Sequence, residues 1–282
     1  MEQTHYSQAG RHKLNGLFGA VQMCSGSDVT ANLAAVGVLL RAARDQGCEL
    51  VVLPENFALM AGTPEARLLH AEEDRSGPIQ KSLRDWCREF GLWLVAGTIP
   101  MRCAQPTKVR SACLVFDDRG ERVARYDKIH LFDVDLGAGE RYVESDGFEP
   151  GTTPVVVATP FGRLGLAVCY DLRFPELFRA LLSAGAEIIS LPAAFTVPTG
   201  QAHWDVLVRA RAIENSCYVI ASAQVGRHDN GRTTYGHSMI VDPWGAVMNC
   251  KSAGTGIVSA RFEHERVEAV RQRLPSITHR RL

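Results

Sequence analysis

The largely apolar run Leu17 to Met23 predicts a buried strand, and Val29 to Gln46 then sets Leu33, Val36, Leu39 and Leu40 at helical spacing before Gly47. Apolar residues three and four apart share one helix face, and a glycine just past the last of them is a common stop. The pattern repeats: Leu50 to Leu53 reads as a strand broken at Pro54, Ile79 to Phe90 as a helix stopped by Gly91, and Trp93 to Thr98 as a strand. Strands alternating with helices predict a layered α/β arrangement.

The middle of the chain changes period. Ala112 to Phe116 and Arg122 to Tyr126 flank Asp117-Asp118-Arg119-Gly120, a hairpin pattern, so mixed rather than purely parallel sheets are expected. Further strands are predicted at Val155 to Ala158, Leu164 to Val168, Ile188 to Leu191, Tyr218 to Ala223, Ser238 to Val241 and Val247 to Cys250. Helices are predicted at Pro175 to Ser183, Trp204 to Asn215 and Glu263 to Arg273, with a turn at Asp242 to Gly245. Pro175 suits a first helical turn, where its missing N–H has no partner to lose. Trp204 and Trp244 read as core. With no internal repeat, low-complexity stretch or linker, residues 14–282 are expected to form one domain after a flexible segment at 1–13.

Composition narrows the class. The 282 residues are 46% hydrophobic, and 31 basic residues balance 31 acidic ones without a long single-sign run. Neither nucleic acid nor an anionic membrane is predicted as a partner, which leaves a small molecule. The start lacks the apolar stretch of about 7–15 residues that marks a signal peptide, and no segment reaches the roughly 20 apolar residues of a membrane span. Eight scattered cysteines with no C-x-x-C pair predict reduced thiols in a cytoplasmic protein.

Several chemistries lose support. No phosphate-cradling G-x-x-x-x-G-K-S/T is present, Gly254-Thr255-Gly256 lacks a third glycine, His264 to Glu268 lacks the second His of a zinc helix, and Gly236-His237-Ser238 continues to Ile240 rather than Gly. What remains is Cys169, delivered by an apolar strand to a connection carrying Asp171, Arg173 and Glu176. Ligand crevices form at such strand ends, although a buried cysteine is also an ordinary core residue. Glu55 follows another strand and Lys128 lies beyond the hairpin; taken singly, each also reads as a solvated loop charge.

Three segments taken together resemble a known family. Leu53-Pro54-Glu55-Asn56, Tyr126-Asp127-Lys128-Ile129-His130-Leu131-Phe132 and Val168-Cys169-Tyr170-Asp171-Leu172-Arg173-Phe174-Pro175-Glu176 look like the signature blocks of the nitrilase superfamily of carbon–nitrogen hydrolases. Ala202-His203-Trp204 and Tyr235-Gly236-His237-Ser238 are similar to the branch containing deaminated glutathione amidase and ω-amidase, and within it Val225-Gly226-Arg227-His228 and His279-Arg280-Arg281 lean toward the former. The resemblance implies a four-layer αββα sandwich with two mixed sheets, assembled as a homodimer or higher homo-oligomer, with no cofactor and no metal. It also implies roles: Glu55 as base, Lys128 as oxyanion donor together with the Tyr170 backbone N–H, Cys169 as nucleophile and Glu144 as the acid that orients the lysine. The Lys128 charge is further expected to favour the thiolate.

Arg173 is the candidate for gripping a substrate carboxylate, because a guanidinium fork matches a carboxylate in two places; a salt bridge to Glu176 is its alternative. Phe195 and Thr199 match pocket residues, with a core ring and a turn hydroxyl as the plain explanations. His130, His203 and His237 are expected to be hydrogen-bonded structural histidines. The implied substrate is a small carboxylate-bearing amide, deaminated glutathione first. An ω-amidase or N-carbamoyl amidohydrolase would share every catalytic residue, and a silent scaffold of the same fold would need none of them.

Overall fold

The computed structural model describes residues 15–137 and 141–281, so the predicted flexible segment 1–13 lies outside the described residues. The first half runs β1 (Asn15–Gln22), α1 (Val29–Asp45), β2 (Leu50–Val52), α2 (Pro64–Leu69), α3 (Pro78–Phe90), β3 (Trp93–Val95), β4 (Ile99–Arg102), β5 (Val109–Phe116) and β6 (Arg122–Asp127). The second runs β7 (Asp133–Asp135), β8 (Arg141–Val143), β9 (Val156–Thr159), β10 (Gly162–Leu166), α4 (Pro175–Ser183), β11 (Ile188–Ala193), α5 (Val197–Asn215) and β12 (Tyr218–Ala223). It closes with β13 (Val225–Arg227), β14 (Thr233–Tyr235), β15 (Ser238–Val241), β16 (Val247–Lys251), β17 (Gly256–Glu263) and α6 (His264–Arg273).

Parallel strands need a crossover, and the alternating periods of the sequence supply one each time. In the first sheet β1, β2 and β3 are parallel, joined through α1 and α3, while β17 pairs antiparallel with β1 and β5 pairs antiparallel with β3, β4 and β6. The second sheet, ordered β16-β15-β12-β11-β10-β9, repeats the scheme: β10, β11 and β12 are parallel, joined through α4 and α5, with antiparallel strands outside them. Both sheets are mixed, as expected.

Side-chain alternation makes four layers out of these parts. Phe18, Ala20, Leu50 and Val52 enter the core shared with Leu164, Leu166, Ile188 and Val219 of the other sheet. Their neighbours Val21, Val51 and Leu53 point the opposite way, against Val36, Leu40, Leu83 and Cys87 of α1 and α3. On the far side α4 and α5 contribute Phe178, Leu181, Trp204 and Val208. Each such side chain taken from water contributes about 1.5–3 kcal/mol. Among the described residues, no helix is long and apolar enough to cross a membrane.

The structure corrects several expectations. Helix α5 begins at Val197 rather than Trp204, because Pro198 suits its first turn and that turn faces a cavity instead of the core, so it carries no apolar stripe. Strand β17 was not predicted, yet Val258, Ala260 and Phe262 point inward between Ser259 and Arg261. Trp204 is core as read, at 1% exposure, but Trp244 is 45% exposed. It sits on the Asp242 turn, where Asp242 Oδ1 accepts from the backbone N–H of Trp244 and Ala246, and its ring lies beside Arg273 rather than in the core.

Candidate active site

The carboxyl ends of the parallel strands from both sheets open toward one cavity, and the three predicted residues sit there. Glu55 follows β2 and Pro54. Its carbonyl accepts from Gln224 Nε2 at 3.0 Å, and the next backbone N–H, that of Asn56, donates to Thr98 Oγ1 at 2.8 Å. Gly97 passes so close that a Cβ there would lie 2.0 Å from the Pro54 carbonyl oxygen. Lys128 follows β6; its carbonyl accepts from Gly151 N at 2.8 Å, and a Cβ on Gly151 would lie 2.0 Å from the Asp127 oxygen.

Cys169 opens a 3-10 turn, Cys169–Arg173, just beyond β10, and adopts φ 48°. A non-glycine residue in that region stores on the order of 1–3 kcal/mol of strain, held only where its surroundings enforce it. The enforcing group is Asp171, whose side chain is fully buried. Its Oδ2 accepts from Val168 N at 2.8 Å and from the Tyr126 hydroxyl at 2.7 Å, and Oδ1 accepts from His130 N at 3.2 Å and meets His130 Nδ1 at 2.7 Å. One carboxylate thus ties the Cys169 turn to both sides of Lys128.

The charged heads converge. Lys128 Nζ donates to Glu55 Oε1 at 2.8 Å and to Glu144 Oε1 and Oε2 at 3.0 and 2.8 Å, with its side chain only 2% exposed. Glu144, in a 3-10 turn after β8, also accepts from Phe132 N at 2.6 Å. Cys169 and Ala194, at the end of β11, line the same cavity as these heads, and the charges of Glu55 and Lys128 both act on the thiol. Glu144 is therefore no exposed loop acid.

Burial and charge set the protonation pattern. For Cys169, burial pushes the thiol up and the Glu55 charge adds to it, which together outweigh the opposing pull of Lys128. The Lys128 charge does favour the thiolate, as expected, but it is the weaker influence, so Glu55 has a thiol proton to take. For Glu55 burial opposes ionisation, but the charge and hydrogen bond of Lys128 and the Arg232 charge hold the carboxyl below its ordinary value. Lys128 loses hydration on burial, yet Glu144 and then Glu55 hold it well above the ordinary lysine value. The site rests as carboxylate, ammonium and thiol.

The cavity above these heads has a volume of about 310 Å³, at the lower end of small-molecule sites. Tyr170, Arg173, Phe195 and Thr199 line it, with Arg67, Phe132, Tyr142 and Arg232. Among the described residues Arg173 makes no ion pair with Glu176; its guanidinium lies 3.3 Å from His203 Nδ1, beside the rings of Phe195 and Tyr170. Phe195 packs edge-on against Trp204, and Thr199 Oγ1 meets Thr196 Oγ1 at 2.8 Å, so both serve the fold as well as the wall. His130 and His237 are held by Asp171 and by the Tyr235 carbonyl. No three His, Cys, Asp or Glu side chains gather as a metal ligand set among the described residues.

The carbon–nitrogen hydrolase family model matches residues 17–272. This chain belongs to the carbon–nitrogen hydrolase family. Deaminated glutathione amidase of Yersinia enterocolitica is 44% identical over 269 residues, covering 95% of this chain and 93% of its own. The crystal structure of Saccharomyces cerevisiae Nit3, a member of branch 10 of the nitrilase superfamily, superposes with a TM-score of 0.84 at 30% identity, over 95% of this chain and 97% of that one. The crystal structure of the C. elegans NitFhit protein matches with a TM-score of 0.89 at 37% identity, over 95% of this chain and 65% of that longer one. The expected superfamily and sandwich fold both stand, and the enzyme hydrolyses carbon–nitrogen bonds other than peptide bonds.

Four features of this carbon–nitrogen hydrolase site escaped sequence reading. Asp171 appeared only as a polar flank of Cys169, although a carboxylate two residues beyond the thiol is the signal that could have marked it. Ala194 acts through its backbone and carries no side-chain signal. Phe132, whose N–H holds Glu144, closes the Lys128 motif. Arg232 follows Asp229-Asn230-Gly231, a turn pattern that draws attention away from the residue after it.

Proposed function

We propose that this carbon–nitrogen hydrolase is a thiol amidase that cleaves deaminated glutathione through an acyl thioester on Cys169. The observation that carries the reading is the buried Lys128 ammonium held by Glu55 and Glu144 on the wall of the cavity that Cys169 also lines. The 44% identity to a deaminated glutathione amidase supports the substrate.

In this reading Glu55 takes the thiol proton as sulfur attacks the amide carbonyl carbon. The tetrahedral oxyanion is met by Lys128 and the Tyr170 N–H; one such donor contributes on the order of 10²–10³ in rate. The carbon–nitrogen bond then breaks as Glu55 passes its proton to the departing nitrogen, because an amide nitrogen leaves poorly as an anion. A thioester remains. Water, losing its proton to Glu55, adds to it, and the thiol returns with release of the carboxylic acid. Arg173 grips the carboxylate on the acyl side.

The test is a substrate panel. Wild-type protein is expected to release the dipeptide from deaminated glutathione and to ignore an aliphatic nitrile, and Cys169→Ala is expected to turn over neither compound. Turnover of the amide by Cys169→Ala at the wild-type rate would end the proposal.

A further inference from the structure

Three guanidinium groups border the cavity, Arg67, Arg173 and Arg232, and none has a carboxylate at salt-bridge distance among the described residues. Arg232 is presented by a hairpin loop that is braced from inside. The buried His228 ring bridges the Ser25 carbonyl and Thr234 Oγ1, both at 2.8 Å. Asn230 accepts from Arg232 N at 3.0 Å and donates to the Ala61 carbonyl at 3.2 Å. The guanidinium spends Nη2 on the Ala194 carbonyl at 2.5 Å and lies 5.3 Å from the Tyr142 ring centroid. Its Nε is buried with no hydrogen-bond partner. A buried charged donor left without an acceptor carries a desolvation penalty that an incoming oxygen would relieve.

Arg173 and Arg232 flank the ends of one aromatic row. Tyr142 and Phe132 are 5.3 Å apart between ring centroids, and Phe132 and Tyr170 are 5.0 Å apart. Arg232 stands at the Tyr142 end and Arg173 at the Tyr170 end. They are not equivalent: Arg173 belongs to the Cys169 turn and takes the acyl carboxylate in the reading above, which leaves Arg232, at the far end of the row, to the departing portion of the substrate. Arg67, the third guanidinium on the wall, stands outside this row, over the Phe148 ring at 4.4 Å.

We propose that Arg232 is a second carboxylate-recognition residue, binding the carboxylate borne by the departing amine portion of the substrate. The inference rests on the amidase reading above and deepens it: the preferred substrate carries one carboxylate on each side of the scissile amide. Deaminated glutathione, whose leaving dipeptide ends in a carboxylate, has that form. Amides that release ammonia fill only the Arg173 end.

Calorimetry on Cys169→Ala protein tests this, with deaminated glutathione and the same compound amidated at its C-terminal carboxylate. The free acid is expected to bind at least about tenfold more tightly, as befits a charge-assisted guanidinium–carboxylate pair. Cys169→Ala/Arg232→Gln should bind the two alike, and Arg232→Lys should keep part of the preference, since a point charge remains. Arg173→Gln should weaken both ligands and leave their ratio intact. If the glutamine variant does not fold, the lysine variant carries the comparison. Equal binding of both ligands to Cys169→Ala, or a ratio that Arg232 variants leave untouched, overturns the inference. Wild-type turnover measured alongside separates the two ideas. Turnover without the binding ratio overturns only the subsite, and a ratio without turnover upholds the subsite and overturns the amidase reading.

Discussion

Lys128 is the residue on which the site turns, because its ammonium is the shared counter-charge of two carboxylates out of water. Removing one partner of a buried ion cluster leaves the other charges uncompensated, at about 3–5 kcal/mol. Lys128→Met is therefore expected to lose on the order of 10²-fold or more in kcat and also to unfold at markedly lower urea; an unchanged midpoint would contradict the buried-pair account. The linkage to pH follows from the same cluster. The lowered Glu55 contributes stability that is full above the ordinary value of 4.5 and fades as pH falls through its depressed folded value. The raised Lys128 contributes stability that is full below 10.5 and is lost as pH rises through its folded value. For catalysis the competent form is Glu55 carboxylate with Cys169 thiol. A profile of kcat/KM that stays flat from about pH 6 to 8 is predicted, and a rate that climbs tenfold per pH unit there would mean that free thiolate does the work.

At the scale of elements, the site depends on how strand ends are set. Gly151 lets the segment after β8 touch the backbone just before Lys128, and Gly97 does the same behind Glu55. Gly151→Ala must move the Asp127 carbonyl and with it Lys128. Displacement of a reacting group by about 1 Å costs on the order of 10²-fold, so kcat/KM should fall by about that factor while the helical circular dichroism persists. The parallel strands were legible because runs such as Leu50 to Leu53 are apolar on both faces and Ile188 to Leu191 breaks that pattern only at Ser190. Glu55, Lys128 and Cys169 were legible because each stands at a strand end inside a motif. Short elements were not: β7, β8 and β14 have three residues each, too few for a period to show. The start of α5 was hidden because its first turn serves the cavity. Arg232 was hidden because its meaning is an unfilled hydrogen bond, which only coordinates reveal.

At the scale of the molecule, the two sheets are stitched where the site lies. Met23 N donates to the Ala223 carbonyl and Val225 N donates to the Met23 carbonyl, so β1 and the end of β12 share backbone hydrogen bonds. This fixes the strand ends of one sheet against those of the other. The outer side of α5 is less settled: Val206 is 65% exposed and Ile213 44%, and Ile213 packs against Gly245, next to the exposed Trp244. Exposed apolar side chains of this kind are what a partner surface would cover, and we propose that the expected homodimer forms there. Sedimentation of Val206→Glu/Ile213→Glu should show monomers where the wild type shows dimers; a monomeric wild type would refute it.

The central claim is that Cys169 becomes covalently acylated with Glu55 moving the proton at each step. Its most direct measurement is the intact mass of rapidly quenched reactions with deaminated glutathione. Wild-type protein should gain the mass of the acyl portion alone, and Cys169→Ala should gain nothing. Glu55→Gln should show acylation slowed by orders of magnitude. Turnover by the wild type with no adduct at any quench time, joined to full activity of Glu55→Gln, would contradict the account.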